Sequence, residues 1–293
     1  MKAAAFDYVR AASVDQAVTL LARHGGGAKL LAGGQSLLPA LNLRLMNPEV
    51  LIDIGGIAGL RGIRIDGGTV KIGALTRHAD LLVSPEIAAH APLLAKAMPH
   101  IAHPAIRNRG TIGGSLCHAD PASELPACVQ ALGATLILHG PGGERRVAAS
   151  AFFTGLYQTV LGEDEMLIRI EFPAFAVGER AYFHEFARRM GDYAIVGLAA
   201  QAKLDGDRIA ALRLAFFGVG ERATLCPAAA EILTRPITPS VVADAQAALA
   251  LDLAPQNDQQ ASSATRMQLA RVLLARCVDD LLGRTATPQK RSA

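Results

Sequence analysis

The sequence has few aromatic side chains and no tryptophan: Phe, Trp and Tyr together make up 4% of its 293 residues. Stacking platforms for nucleic-acid bases and aromatic cages for quaternary ammonium groups depend on such rings, so neither is expected. Charge of one sign is also scarce, with 29 basic against 26 acidic residues and no long Lys/Arg run. A net charge of +3 spread along the chain does not imply nucleic-acid binding.

Long apolar runs are missing as well. No stretch reaches the ~20 uninterrupted apolar residues of a membrane-spanning helix. The start, MKAAAFDYVR, lacks the apolar segment and cleavage site of a secretory signal. We therefore expect a cytoplasmic protein without a membrane span. With 51% hydrophobic residues the chain can bury a large core, in one large domain or in two to three small ones.

Paired cysteines are absent. The four cysteines lie far apart and form no C-x-x-C pair: Cys117, Cys128, Cys226 and Cys277. The sequence therefore predicts neither a disulfide framework nor an iron–sulfur or zinc site. A phosphate-binding P-loop and the G-x-S-x-G motif of serine hydrolases are missing too. No metal site and no catalytic nucleophile is predicted in this chain.

What is present predicts an α+β fold, divided into units at 1–56, 57–176 and 177–286 with a tail at 287–293. In the first unit Ser13 caps an amphipathic helix, and a strand at 29–32, a helix at 36–45 and a strand at 50–54 follow. Such a strand–helix–strand unit normally pairs its strands in parallel. The second unit mixes short strands, at 69–72, 135–139 and 166–172, with helices around 93–101 and 123–132.

The third unit follows a linker predicted at 175–181. Two apolar runs, 193–204 and 208–217, are joined at Asp205-Gly206, which is typical of a β-hairpin. The remainder to residue 283 is helical, with three helices expected to pack on the hairpin. The polar tail is expected to fray.

Two glycine loops are the main candidates for chemistry. Each follows an apolar segment with Gly-Gly and then a serine, in the ranges 32–36 and 111–115. Paired glycines let a backbone approach a ligand and turn its N–H groups toward phosphate oxygens, so two such loops suit a pyrophosphate. Ordinary turn glycines are the alternative, since Gly-Gly also occurs at 55–56, 67–68 and 142–143.

Acidic residues near the second loop offer a further site. Asp120 and Glu124 lie near the start of a predicted helix, where they can cap it or accept hydrogen bonds from ligand hydroxyl groups. His118 and Asp120 have no further ligands at metal-site spacing. A G-x-G-x-x-A match at 218–223 is interpreted as accidental, because no βαβ unit follows it. Tyr193 ends a charged turn, where its ring can cover a planar ligand.

Taken together, five segments resemble the FAD-binding medium subunit of the molybdenum hydroxylases, the family of xanthine dehydrogenase and aerobic carbon monoxide dehydrogenase. The resemblance is most specific in AGGQSLLPALNLRL (32–45) and IRNRGTIGGSLCHADPASELPA (106–127). The other three segments are FFTG (152–155), EMLIRIEFP (165–173) and RRMGDYAIVG (188–197). It continues at lower specificity from about residue 4 to residue 285.

The resemblance implies a two-lobed FAD-binding domain of the vanillyl-alcohol oxidase-like type, followed by an antiparallel sheet with helices. It places the FAD pyrophosphate against both glycine loops: Ala32, Gly33, Gly34, Gln35, Ser36, Thr111, Ile112, Gly113, Gly114 and Ser115. The family usually has an aspartate that contacts FAD where this chain has Glu124, with Asp120 as the alternative contact. Leu167 matches a residue packed near the isoalloxazine ring, and Tyr193 matches a variable position near the flavin.

The function implied is that of an electron-transfer subunit. A large partner subunit with the molybdenum cofactor oxidises the substrate, and a small subunit with two [2Fe-2S] clusters passes electrons to FAD in this chain. FAD then reduces NAD, a quinone or oxygen. Two alternatives remain: a stand-alone FAD-dependent oxidase or reductase, and a scaffold that binds partners without FAD. Both glycine loops look intact, which counts against the scaffold.

Overall fold

The computed structural model describes residues 2–284, so the predicted tail at 287–293 and the end of the third unit lie outside the described residues. Mixed helices and sheets confirm the α+β prediction. No helix among these residues is long and apolar enough to cross a membrane.

Strands within residues 7–53 form a three-stranded parallel sheet, in the order β1-β3-β2. Its strands and helices are β1 (Asp7–Arg10), α1 (Val14–His24), β2 (Ala28–Leu31), α2 (Leu37–Asn42) and β3 (Val50–Asp53). The parallel pairing and the Ser13 cap of α1 are confirmed. Strand β1 was not predicted, because its four residues are mostly exposed and carry no buried alternation.

A five-stranded antiparallel sheet follows, in the order β4-β5-β10-β6-β7. Its strands are β4 (Ile63–Asp66), β5 (Thr69–Gly73), β6 (Thr135–Gly140), β7 (Gly143–Ala148) and β10 (Met166–Pro173). Seven short helices lie between them: α3 (His78–Val83), α4 (Pro85–His90), α5 (Pro92–Ala97), α6 (Pro104–Arg107), α7 (Ile112–His118), α8 (Glu124–Ala131) and α9 (Ala149–Phe152). A small hairpin joins β8 (Phe153–Gly155) to β9 (Gln158–Thr159).

The third sheet is antiparallel, in the order β11-β12-β13-β14. It comprises β11 (Glu179–Phe186), β12 (Val196–Asp205), β13 (Arg208–Phe217) and β14 (Thr224–Leu225), and is followed by α10 (Pro227–Ile232), α11 (Pro239–Asp252) and α12 (Ser263–Leu281). The predicted hairpin is confirmed by the β12–β13 pairing. The predicted linker at 175–181 is wrong in its second half, because β11 begins at Glu179.

The two faces of the third sheet pack on different partners. Phe183 and Phe217 belong to the core of the second sheet and its helices, whereas Tyr182 and Phe216 pack with the C-terminal helices. The first sheet likewise shares a core with residues of β6 and β10. Buried apolar surface therefore joins all three sheets, and it holds the two glycine loops in fixed relative positions.

Candidate cofactor-binding site

The first glycine loop, 32–36, connects β2 to α2 and leaves its backbone donors open. Among residues 2–284, no oxygen accepts a hydrogen bond from the N–H groups of Gly33, Gly34, Gln35 or Ser36. Gly34 has φ +72°, a conformation that residues with a side chain disfavour, and the side-chain amide of Gln35 (Nε2) donates to the Gly33 carbonyl at 2.9 Å. Consecutive unpaired N–H groups of this kind form an anion-binding surface.

The second glycine loop, 111–115, uses its donors internally. Gly113 N–H donates to the Ala74 carbonyl at 2.8 Å, and Gly114 N–H donates to Thr111 Oγ1 at 3.1 Å. Thr111 thereby caps α7. A Cβ on Gly113 would lie 2.6 Å from the Ala74 Cβ, so close packing already excludes a side chain at this position.

The two loops touch. A Cβ on Gly33 would lie 2.2 Å from the Arg109 carbonyl oxygen, just ahead of the second loop. Beside this contact is a cavity of about 110 Å³, lined mainly by apolar side chains and by glycines of the second loop: Leu30, Ala32, Ile54, Ala74, Leu75, Gly113, Gly114, Cys117, Leu161, Glu165, Met166 and Leu167. The structure therefore brings Ala32, Gly113, Gly114 and Leu167 together, as a shared FAD site requires.

A buried histidine packs against Gly110, the residue that precedes the second loop. A Cβ on Gly110 would lie 3.0 Å from His78 Nδ1, and neither ring nitrogen of His78 has a hydrogen-bond partner among the described residues. Burial lowers the pKa of His78 to about 4, so the ring is neutral at physiological pH. Nothing in the sequence distinguishes His78, because an isolated His carries no positional signal.

A second group of predicted residues lies beyond the C-terminal end of α7. Asp120 is buried, and its carboxylate accepts hydrogen bonds from Ala122 N–H at 2.9 Å and from the Tyr157 hydroxyl at 3.3 Å. The side chain of Tyr193 is 58% exposed. Loss of solvent around its covered part, together with the negative charge of Asp120, raises its pKa to about 12. Tyr193 does not line the cavity that contains Leu167, so the two predicted ring contacts lie in different places.

Tyr157 was missed by sequence reasoning. Its φ of 54° places the backbone in the left-handed region, and its ring lies 5.1 Å from that of His118. The LYQ segment that contains it has no motif, and only the adjacent FFTG match pointed to this part of the chain. Tyr157 and Tyr193 thus place two exposed rings near the buried carboxylate of Asp120.

Glu124 is the first residue of α8 and is buried. Burial raises its pKa to about 8, with smaller contributions from the negative charges of Glu185 and Asp120. At neutral pH Glu124 is therefore mostly protonated, and its carboxyl group can donate a hydrogen bond as well as accept one. The sequence pattern predicts a cap or an acceptor at this position, and the resemblance implies a contact with FAD, but neither indicates that the carboxyl group is protonated.

Comparison with known proteins agrees with this geometry. Residues 4–175 match the family model of the FAD binding domain in molybdopterin dehydrogenase, and residues 181–281 match that of the CO dehydrogenase flavoprotein C-terminal domain. The chain is 40% identical to subunit alpha of the 6-hydroxypseudooxynicotine dehydrogenase complex of Paenarthrobacter nicotinovorans, over 100% of this chain and 99% of that protein. It is 46% identical to the carbon monoxide dehydrogenase medium chain of Hydrogenophaga pseudoflava, over 74% and 76% of the two chains.

Solved structures give the same result. A chain of the carbon monoxide dehydrogenase of Hydrogenophaga pseudoflava superposes with a TM-score of 0.94 and 40% identity, covering 98% of this chain and 100% of that chain. A chain of quinoline 2-oxidoreductase from Pseudomonas putida 86 gives 0.90 and 38%, covering 97% and 99%. Both superpositions extend over the sheets and helices that carry the two glycine loops.

Proposed function

This chain belongs to the family of FAD-binding medium subunits of molybdenum hydroxylases, and from that premise we propose how it holds FAD and with which partners it works. It is an oxidoreductase subunit with FAD as its cofactor. The finer proposal concerns which residues bind FAD, where the electrons come from and where they go.

The residues present fit a dinucleotide with a charged centre. The four N–H groups at 33–36, which have no acceptor among residues 2–284, supply donors for pyrophosphate oxygens, and Gly34 has the positive φ that is common in anion-binding loops. The second loop contributes the Ser115 hydroxyl, which lies 3.2 Å from Ser123 Oγ, and a glycine surface without side chains. The open donors of the first loop, in contact with the second, are the observation that carries the proposal.

The two ends of the flavin nucleotide would lie on either side of these loops. The lining of the cavity at Leu167 is mainly apolar, which suits contact with the face or edge of a ring system, and the group formed by Asp120, Tyr157 and Tyr193 offers a carboxylate with two phenol rings. Low aromatic content leaves most of the ring contacts to aliphatic side chains. Glu124 can donate or accept a hydrogen bond toward the same end.

FAD, when bound, supplies redox chemistry that accepts electrons singly and passes them on in pairs. The chain's own contribution is to bind and orient it, since no side chain is needed as a nucleophile or general base. We propose a small partner subunit with two [2Fe-2S] clusters as the electron donor. A large molybdenum-cofactor subunit oxidises the substrate, and NAD, a quinone or oxygen accepts the electrons from FAD.

The division into units is part of the same proposal. Residues 1–56 and 57–176 hold FAD, and 177–286 dock the partner subunits. Relatives named as a medium chain, a medium subunit or a subunit of a dehydrogenase complex support a role within an assembly.

Two measurements test this function. The purified full-length chain, denatured and freed of protein, should release FAD with its visible absorption spectrum; folded protein without FAD would refute the cofactor assignment. Tagged chain, expressed with its neighbouring genes, should copurify with an iron–sulfur subunit and a larger chain. Complete substrate turnover by this chain alone would favour a stand-alone oxidase or reductase instead.

A further inference from the structure

One arginine is buried at the start of the last helix, where a basic side chain is unfavourable. Arg266 is 5% exposed, and it is the only Lys or Arg among residues 2–284 that is buried. It is the fourth residue of α12, close to the N-terminal end, where the helix dipole disfavours a positive charge. A buried guanidinium group at such a position lowers stability unless it has specific partners, so its hydrogen bonds account for its presence.

The guanidinium group binds the backbone of the third sheet at two points. Its Nη1 donates to the carbonyl oxygens of Ile195 and Gly218, the second at 2.7 Å. Ile195 immediately precedes β12 and Gly218 immediately follows β13, so both carbonyl groups lie at the same end of this hairpin. A Cβ on Gly218 would lie 2.6 Å from the Ile195 carbonyl oxygen, so the two segments are in direct contact. One nitrogen of Arg266 therefore joins them.

A carboxylate fixes the other side of the guanidinium group. Arg266 Nη2 donates to Asp258 Oδ2 at 2.6 Å, and Asp258 Oδ1 accepts from the N–H groups of Gln260 and Ala261 at 2.8 and 3.0 Å. The hydrogen bond from Arg266 lowers the pKa of Asp258 to about 2, so this carboxylate is ionised at physiological pH. The guanidinium group thus has partners on both sides and a fixed orientation.

Both carbonyl groups lead to the Tyr193 end of the proposed cofactor site. Ile195 lies two positions after Tyr193, in the turn that connects β11 to β12. Gly218 N–H donates to the Pro121 carbonyl at 2.8 Å, and Pro121 directly follows Asp120. Arg266 is therefore connected by hydrogen bonds to the backbone beside the phenol ring and to the backbone beside the buried carboxylate.

We infer that Arg266 is a positioning residue, which holds Tyr193 and Asp120 in place at the cofactor site through the carbonyl groups of Ile195 and Gly218. This rests on the proposed function, which assigns the phenol ring and the carboxylate to one end of the flavin nucleotide. Arg266 does not line the cavity at Leu167 and belongs to neither glycine loop. Its loss should therefore loosen the turn that carries Tyr193, while the first loop still binds the pyrophosphate.

The first test follows the tyrosines directly and needs no FAD. The chain has four tyrosines, so the full-length chain labelled with fluorotyrosine gives four fluorine NMR resonances, which single Tyr→Phe variants assign. In Arg266→Met the resonance of Tyr193 should shift, as should that of Tyr157, whose hydroxyl donates to Asp120. The resonance of Tyr8, on β1, should not shift. An unchanged Tyr193 resonance in folded Arg266→Met would overturn the positioning role, whether or not FAD binds.

The second test uses the fluorescence of bound FAD. A phenol ring against an isoalloxazine quenches flavin emission by electron transfer, so Tyr193→Ala and Arg266→Met should each raise the emission per bound FAD. If Arg266 acts through Tyr193, the double variant should be no brighter than Tyr193→Ala alone. Independent increases would place the effect of Arg266 elsewhere and overturn the inference. A loss of packing without displacement of Tyr193 would not raise the emission.

A matched control lies on the same helix. The side chain of Arg271 makes no hydrogen bond or ion pair within residues 2–284, so Arg271→Met removes one positive charge from α12 and should leave both readouts unchanged. If Arg266→Met does not fold, Asp258→Asn gives the same test with the guanidinium group present. It removes the charge that orients Arg266, so the Tyr193 resonance should shift in the same direction by a smaller amount.

The two tests separate the inference from the function on which it rests. Wild-type chain without FAD would refute the proposed function, and the fluorine spectra of that chain would still decide whether Arg266 positions Tyr193. Unchanged emission in Tyr193→Ala, with FAD bound, would show that this ring does not contact the flavin and would overturn the role of Arg266 at the cofactor.

Discussion

The two glycine loops have nearly the same sequence pattern but opposite hydrogen-bonding states. In the first loop the N–H groups of 33–36 point to no protein acceptor among residues 2–284. In the second, Gly113 and Gly114 donate within the fold, to the Ala74 carbonyl and to the Thr111 hydroxyl. The first loop therefore leaves open N–H donors, which we propose bind the ligand, and the second is closely packed against its surroundings.

A glycine in each loop lies so close to the backbone of another segment that there is no space for a side chain. Gly33 lies directly against the backbone at Arg109, whereas Gly113 lies against the backbone at Ala74. At each of these two glycines a side chain would clash with the backbone of another segment. Among residues 2–284, Gly113 donates its N–H to a protein acceptor, whereas Gly33 does not. A Gly-Gly pair in sequence thus does not reveal by itself which of these two roles it has.

The largest expected effect is that of Gly33→Ala. Its Cβ would lie 2.2 Å from the Arg109 carbonyl oxygen, which is backbone and cannot rotate away. The two backbone segments must separate, so we expect loss of bound FAD and a decrease of about 3 kcal/mol in the free energy of unfolding. FAD release after denaturation and urea unfolding measure the two effects.

Gly142→Ala is the matched control for this substitution. A Cβ at Gly142 meets no atom within 4 Å, and φ at this position is not in the positive range, so FAD content and stability should be unchanged. Wild-type FAD content in Gly33→Ala would show that contact between the loops is not needed for binding.

Acid should affect the second loop more than the first, because only the second rests on a buried histidine. The folded state holds the His78 pKa at about 4, against 6.5 for an ordinary histidine. Between these values the unfolded chain binds a proton that the folded chain does not. The free energy of unfolding therefore falls as pH decreases from 6.5 toward 4, by about 3 kcal/mol for this group.

The difference between wild type and His78→Phe isolates this contribution from the carboxylates that titrate in the same range. Urea unfolding at several pH values should show a smaller decrease in stability for the variant than for wild type. Identical pH dependence in both proteins would mean that His78 gains a partner or solvent access in the folded state.

Much of the fold could be predicted from the sequence, because its local signals agree with its packing. Ser13 caps α1, and the parallel unit of the first sheet follows from strand–helix–strand order. Strand β1 and the start of β11 could not be predicted. The first has one partly buried residue, and the second begins in a polar segment whose strand state depends on pairing with β12.

The candidate site could be located but not understood from the sequence. Its glycine segments matched a family, but the hydrogen bonding of the second loop depends on two carbonyl groups more than thirty positions before it. The Thr76 carbonyl accepts from Ile112 N–H, and the Ala74 carbonyl accepts from Gly113 N–H. The protonated state of Glu124 depends on burial and on Glu185, which comes from another sheet. Contacts between residues so far apart in the chain have no signature in a single sequence.

Gly114→Val separates ligand binding from folding. Its Cβ would lie 2.8 Å from the Thr111 hydroxyl, a side chain that can rotate, and 3.9 Å from Ala32 of the first loop. We expect loss of FAD with a stability decrease of only about 1–3 kcal/mol, and an intact third sheet. Far-UV circular dichroism together with FAD content checks this, and retained FAD would show that the second loop does not face the cofactor.

The smallest effects, and the sharpest test of the comparison, come from the two hydroxyl residues at the helix starts. Thr111 accepts the Gly114 N–H and caps α7, whereas Ser36 precedes α2 and makes no capping hydrogen bond. Thr111→Ala should therefore lower the free energy of unfolding by about 1 kcal/mol, while Ser36→Ala should leave it nearly unchanged.

If the Ser36 hydroxyl donates to a phosphate oxygen, Ser36→Ala should weaken FAD binding by about 1 kcal/mol, or about fivefold in Kd. Urea unfolding of the FAD-free proteins and fluorescence titration with FAD separate these effects. If Ser36→Ala instead lowers the free energy of unfolding and Thr111→Ala weakens FAD binding, the roles assigned to the two loops are reversed.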